Sequence, residues 1–311
     1  MRFAFTEEQV LFARTVREAL ATDATDRWAQ LGELGVLGLT LDEVHGGLGL
    51  DEVDLVLALE ETGYACLPDP VLEHYVGASA LRDAGRDDLL GGVASGKRRV
   101  SAGGALVSHA HAADLLVLES AGAVHAVAAK DVTLQPERSI DPSRRLSSVA
   151  WTPGEDNRLG DAGALERLTD RAAFAAAAQL AGAGRRLVEM GAAYAKDRRQ
   201  FGVPVGSFQA VKHLLADAHL AVEFARPGVY RAASSLAGDE PTRGRDASMA
   251  KAMASDAATV AARAALQVHG AIGYTEEHEL HRWLKRAFAL AGAWGDAARH
   301  RERVKAALLA P

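Results

Sequence analysis

Cysteine is almost missing: the 311-residue chain holds one, Cys66, so no internal disulfide can form. That absence points to a reducing compartment, and a cytoplasmic protein is expected. No motif surrounds Cys66, which reads as a small packed residue and not a nucleophile. No apolar run approaches the roughly 20 residues that span a bilayer. The first residues, MRFAFTEEQV, lack the basic-then-apolar pattern of a secretory leader. Basic excess is missing too: the formal net charge is −6, which argues against nucleic acid as a partner. Neither internal repeats, low-complexity tracts nor a metal-ligand motif stands out. What remains is a length sufficient for two or three domains around a generous core.

Three textures follow one another. Residues 1–97 read as helices joined by turns: Thr6 before Glu7-Glu8 suits a helix start, and Gly46-Gly47-Leu48-Gly49 must be a loop. Helical periodicity resumes from Asp51 and stops at Pro68 and Pro70. Residues 98–157 carry short apolar runs, Leu115–Leu118, Val124–Ala128 and one near Val149–Trp151, which predict strands of a small sheet. Residues 158–311 turn helical again. Phe208, Val211, Leu215, Ala218, Val222 and Ala225 recur at steps of three and four and define one face. Met253, Ala257, Val260, Ala264 and Val268 define a second, and Pro227-Gly228 predicts a kink or break. The fold class expected is mostly α with a small β-sheet middle domain, closing on an antiparallel four-helix bundle.

Five stretches carry a resemblance. YAKDRRQFGVPVGSFQAVKHLLADAH (194–219) and ALQVHGAIGYTEEHELHRWLKRA (265–287) lie in the bundle, and FTEEQ, WAQLGELGVLGL and DEVHGGLGL lie in the first region. The chain resembles the acyl-CoA dehydrogenases over nearly its whole length. In that family the two C-terminal segments hold the ADP half of FAD across a subunit interface, and the residue types suit the task. By that resemblance Arg198 offers its donor fork to pyrophosphate, Phe201 and Phe208 give aromatic surface, and Gln209 and Gln267 meet ribose or adenine edges. His269 belongs to the same motif, and Gly270 and Gly273 let backbone approach phosphate. Ala271 stands where the family carries a second glycine. Taken singly, Arg198 also reads as solvated surface, His269 as a structural histidine, and both phenylalanines as core.

The departures matter as much. The family removes the substrate's α-proton with a glutamate at one of two places. Those places hold Ala172 and Trp294 here, and neither can take a proton. Glu166 lies more than a turn too early, Asp296 is displaced, and Asp170, two positions off, is the one fallback base. The loop that holds the flavin ring and thioester, Thr-Glu-Pro…Gly-Ser-Asp in the family, has no counterpart. Losing base and loop together, while keeping the ADP-contacting segments, implies a division of labour. The resemblance therefore implies a shortened, non-catalytic subunit of a heteromeric acyl-CoA dehydrogenase, lending FAD contacts to a longer partner in an α2β2 heterotetramer. Actinobacterial assemblies of that kind act on steroid-derived CoA thioesters. Two rivals stand beside it: a self-sufficient dehydrogenase using Asp170, with a homo-oligomer as the alternative assembly, and a structural paralogue that binds no cofactor.

Overall fold

The computed structural model describes residues 4–22 and 24–309. Its first helix, α1 (Glu7–Ala21), starts where the sequence places it. The Thr6 hydroxyl accepts from the Gln9 amide N–H at 3.2 Å, and the Gln9 side chain accepts from the Thr6 N–H at 2.9 Å. After α2 (Arg27–Glu33) the glycine-rich stretch turns, with Gly46 and Gly49 at positive φ. Asp51 then caps α3 (Glu52–Tyr64), followed by α4 (Val71–Asp83) and the short α5 (Asp87–Leu90).

Seven strands form the middle sheet: β1 (Val100–Gly103), β2 (Leu106–Ser108), β3 (Leu115–Ser120), β4 (Ala123–Ala128), β5 (Thr133–Pro136), β6 (Leu146–Ala150) and β7 (Arg158–Gly160). Their order is β5-β6-β2-β1-β3-β4-β7, with β1 parallel to β3 and every other pair antiparallel. Sheet pairing thus runs to Gly160, three residues beyond the expected limit at 157. β1, β2, β5 and β7 have at most four residues each, too short to leave a clear alternation in the sequence.

The bundle comprises α6 (Ala162–Asp197), α7 (Gln209–Ala237), α8 (Arg243–His269) and α9 (Leu280–Gly292), with α10 (Ala297–Leu309) behind them. A two-stranded hairpin, β8 (Arg199–Gln200) and β9 (Val203–Pro204), joins α6 to α7. α7 runs unbroken through Pro227, so the expected interruption does not occur. Pro227 is exposed, and the Glu223 carbonyl that loses its i+4 donor is free to meet water. The predicted buried faces are correct only in part. Ala218, Val222 and Ala225 are buried on α7, while Phe208 is exposed and Val211 and Leu215 are half-buried. On α8, Met253 and Val260 point outward, and the core side is built from Ala250, Ala254, Ala258, Ala261 and Ala265. In an alanine-rich bundle the tightest contacts take the smallest side chains, so the larger apolar residues do not mark the core.

One hydrophobic core runs from the N-terminal helices into the bundle, with Phe174 of α6 facing Tyr75 of α4 edge-on at 6.3 Å. α3 and α6 touch backbone to backbone. A Cβ on Gly182 would sit 1.9 Å from the Glu60 carbonyl oxygen, and one on Gly63 2.0 Å from that of Gln179. Gly182→Ala is therefore expected to cost about 3 kcal/mol, as overpacking of a closed contact does. The drop in urea midpoint measures it; an unchanged midpoint contradicts the close crossing.

Candidate functional site

The residues singled out from the sequence gather at one end of the bundle, where α6 and α8 finish and α7 starts. Arg198 ends α6, its N–H donating to the Tyr194 carbonyl at 2.9 Å, and its side chain is exposed. The hairpin that follows holds Phe201 at its tip in left-handed conformation (φ 52°), with the ring 92% exposed. Phe208, 39% exposed, meets it edge-on at 6.1 Å. Gln209 opens α7 without a side-chain cap, so the first N–H groups of a 29-residue helix face outward beside Arg198 and Arg199. From the other segment, Gln267 and Gly270 are exposed, and Tyr274 is 78% exposed. Gly270 has φ 62°, and a Cβ added there would meet nothing within 4 Å.

Two candidates lie inside instead. His269 is buried, stacked on Tyr194 at 4.3 Å, with Nδ1 donating to the Ala265 carbonyl at 2.7 Å. Burial pushes its pKa down, against the pull of that carbonyl, and its stack on Tyr194 ties the two segments together. Gly273 is buried against His269 and Leu266, both 3.0 Å from an added Cβ. Its missing side chain lets the chain pack closely on itself at this point.

A second feature lies between sheet and bundle: a cavity of about 440 Å³ lined by Glu73, Gly103, Gly104, Arg144, Thr169 and Trp294 among others. Trp294 is half-buried at its rim, in left-handed conformation (φ 58°). Ala172 is wholly buried in the bundle core and does not line this cavity. Asp170 is buried too, and lines a different cavity of about 270 Å³ together with Glu166. Its carboxylate accepts from Arg303 at 2.6 Å, and Arg243 lies 3.8 Å away. Burial raises its pKa and the two arginines oppose the rise, but Asp170 remains a buried ion-pair partner. Asp296 caps α10, accepting from the Arg299 N–H at 2.8 Å. Among the described residues, the carboxylates that line the sheet–bundle cavity are Glu119 and Glu73, and Glu73 is tied to Arg144 at 3.2 Å.

The sequence reading missed the residue that ties these parts together. Arg286 of α9 is buried; it donates to Asp141 Oδ2 at 2.5 Å, to the Leu67 carbonyl at 2.6 Å and to Ser143 Oγ at 2.9 Å. One guanidinium thus joins the bundle, the sheet and the N-terminal helices. The signal was an arginine among the buried positions of α9, between Trp283, Leu284 and Leu290.

Matching family models cover most of the chain: "Acyl-CoA dehydrogenase, N-terminal domain" over residues 3–95 and "Acyl-CoA dehydrogenase, C-terminal domain" over residues 163–309. Acyl-CoA dehydrogenase IpdE2 of Mycolicibacterium smegmatis is 35% identical over 282 residues, 90% of this chain and 86% of that protein. Acyl-CoA dehydrogenase FadE34 of Mycobacterium tuberculosis is 33% identical over 308 residues, 90% of this chain and 42% of that one. In structure, the Tcur3481-Tcur3483 steroid ACAD matches with TM-score 0.88 at 25% identity, covering 97% of this chain and 98% of that one. The ChsE4-ChsE5 complex of Mycobacterium tuberculosis matches with TM-score 0.89 at 23% identity, covering both chains completely. The fold and these likenesses define a class, the flavoprotein oxidoreductases that act on acyl-CoA thioesters. The chain belongs to the acyl-CoA dehydrogenase family. No described helix is long and apolar enough to cross a membrane.

Arg286→Met would strand Asp141 in the interior and is expected to destabilise the chain by about 3–5 kcal/mol at neutral pH. Burial alone would raise the Asp141 pKa, but Arg286 and Ser143 overcome it and hold the carboxyl below its ordinary 3.8. The pair's contribution is therefore present above pH 3.8 in the wild type and lost only as pH falls through the lowered value. Urea midpoints at neutral and acid pH test this; a variant as stable as wild type at neutral pH contradicts the pin.

Proposed function

We propose that this chain is a non-catalytic subunit of a heteromeric acyl-CoA dehydrogenase and that it completes the FAD site of a longer partner. One contrast carries the reading: nucleotide-type groups are presented outward at the bundle's end, while the sheet–bundle cavity has Trp294 where the family carries its base, and its two carboxylates stand elsewhere, Glu73 paired with Arg144 and Glu119 on β3.

The exposed residues suit the nucleotide half of the cofactor. Arg198, beside the uncapped start of α7, supplies donors and positive potential for pyrophosphate oxygens. Phe201 and Phe208 form an aromatic corner for a flat apolar surface, Gln209 and Gln267 reach from either side, and Gly270 leaves the approach open. An exposed phenylalanine with so little cover in its own chain is best explained by a partner that buries it. FAD, held mainly by the partner, supplies the hydride acceptor. The dehydrogenation of an acyl-CoA, with its proton abstraction, then falls to the partner's own cavity.

Likeness to a steroid ACAD and to a two-chain complex supports a steroid-derived CoA thioester as substrate class and a longer homologous chain as partner. The lone buried Cys66 is in keeping with a cytoplasmic location.

Co-expression with a longer family member tests the proposal. The pair is expected to purify yellow as a heterotetramer and the single chain colourless. Arg198→Ala in the pair is expected to lower flavin content at least about tenfold, the loss of roughly 1.5–3 kcal/mol from a charged hydrogen bond. Asp170→Asn is expected to lower the melting temperature and leave turnover per bound flavin unchanged. A single chain that purifies yellow and oxidises acyl-CoA contradicts the reading, as does full flavin retention by the Arg198 variant.

A further inference from the structure

The turn that carries Trp294 is held by a buried lysine on another helix. Lys251 of α8 is fully buried. Its Nζ donates to three oxygens: Ser255 Oγ at 3.1 Å, the Ala291 carbonyl at 3.1 Å and the Gly295 carbonyl at 3.0 Å. The two carbonyls lie on either side of Trp294. Between them, the Trp294 carbonyl accepts from His300 Nε2 of α10 at 3.0 Å. Three carbonyls of one short segment are thus held by buried donors.

The segment needs fastening. A bulky residue at φ 58° is disfavoured, by about 1–3 kcal/mol, unless its surroundings over-determine it. Gly295 follows at φ 99° and packs against His300, whose Nε2 lies 3.0 Å from where its Cβ would be. The Trp294 side chain lines the sheet–bundle cavity, so the turn's geometry sets how much of that cavity is filled.

We propose that Lys251 is a protonation-dependent latch that positions the Trp294 turn and, through it, closes or opens the sheet–bundle cavity. The inference goes beyond the proposed subunit role and does not depend on flavin contact at the far end of the bundle. An ammonium has three N–H groups, and here each meets one acceptor. A neutral amine keeps two and turns a lone pair toward the third oxygen. One of the three fastenings then fails, and the strained turn relaxes.

The charged surroundings place that change within reach. Burial pushes the Lys251 pKa down, Asp296 on the turn opposes the shift, and Arg144 from the sheet adds to it, leaving a value of about 7. His300 on α10, the other titratable group in contact with the turn, is held neutral by burial at about 4 and does not change in the same range. Global stability runs the other way. Above pH 7 the folded lysine is neutral while the unfolded one stays charged up to 10.5, so unfolding takes up a proton and stability rises with pH. The latch is thus a local loosening inside a fold that alkali does not melt.

The test is ¹⁹F NMR of the full chain labelled with 5-fluorotryptophan. The chain has four tryptophans, and the Trp294 signal is to be assigned as the one lost in Trp294→Phe. Between about pH 5.5 and 9.5 the Trp294 signal is expected to titrate with a midpoint near the value of about 7, its solvent-isotope shift growing on the alkaline side. Lys251→Met is expected to hold it at the alkaline position throughout. Asp296→Asn, which keeps the cap on α10, is expected to move the midpoint to lower pH and serves where the lysine variant does not fold. A Trp294 signal that is flat across the range, or that titrates unchanged in either variant, overturns the proposal.

Discussion

The buried guanidinium of Arg286 is the joint on which the architecture rests. Its three acceptors belong to the sheet and to the chain leaving α3, while the arginine itself belongs to the bundle. A charge this deep is tolerated only when every face of it is hydrogen-bonded, and the Asp141 carboxylate supplies the compensating charge. The neighbouring Arg144–Glu73 pair repeats the arrangement between sheet and α4. Together they fix the distance between sheet and bundle, and so the width of the cavity between them. The crossing of α3 on α6 at Gly63 and Gly182 does the same on the apolar side.

With the frame rigid, the two ends of the bundle take different characters. On the cavity side, several buried polar groups are paired within the chain: Glu73 with Arg144 in the cavity wall, Lys251 with the Trp294 turn and, in the neighbouring cavity, Asp170 with Arg303. At the hairpin end they are left unspent, with Arg198, Gln209 and Gln267 exposed beside two phenylalanines. A carboxylate bound to an arginine is a poor base, and an exposed aromatic corner is a poor surface for a solitary protein. Both features are in keeping with the proposed division of labour between this chain and a neighbour.

The sequence made the helices, the glycine loop and the family legible, because capping residues, glycine clusters and motif order are local signals. It also located the hairpin-end residues, since a motif fixes spacing and spacing fixes which end of a helix they reach. It misled where identity alone cannot tell inside from outside. His269 and Gly273 share a motif with Gly270, yet they pack inward against Tyr194 and Leu266. Met253 and Val260 read as core on α8, but alanine occupies the close crossings. Pro227 read as a kink or break, but α7 continues through it with the proline on an exposed face. Arg286 and Lys251 gave little warning, since nothing local announces that a charged side chain will be buried.

The central claim is that the segments around Phe201 and Gly270 meet a nucleotide carried by another chain. A structure of the flavin-loaded complex with a longer partner measures it directly, through the separation of the Arg198 guanidinium from the pyrophosphate oxygens. The account predicts about 2.7–2.9 Å, the length of a charge-assisted hydrogen bond. An Arg198 that faces solvent, with FAD enclosed wholly by the partner, would contradict it.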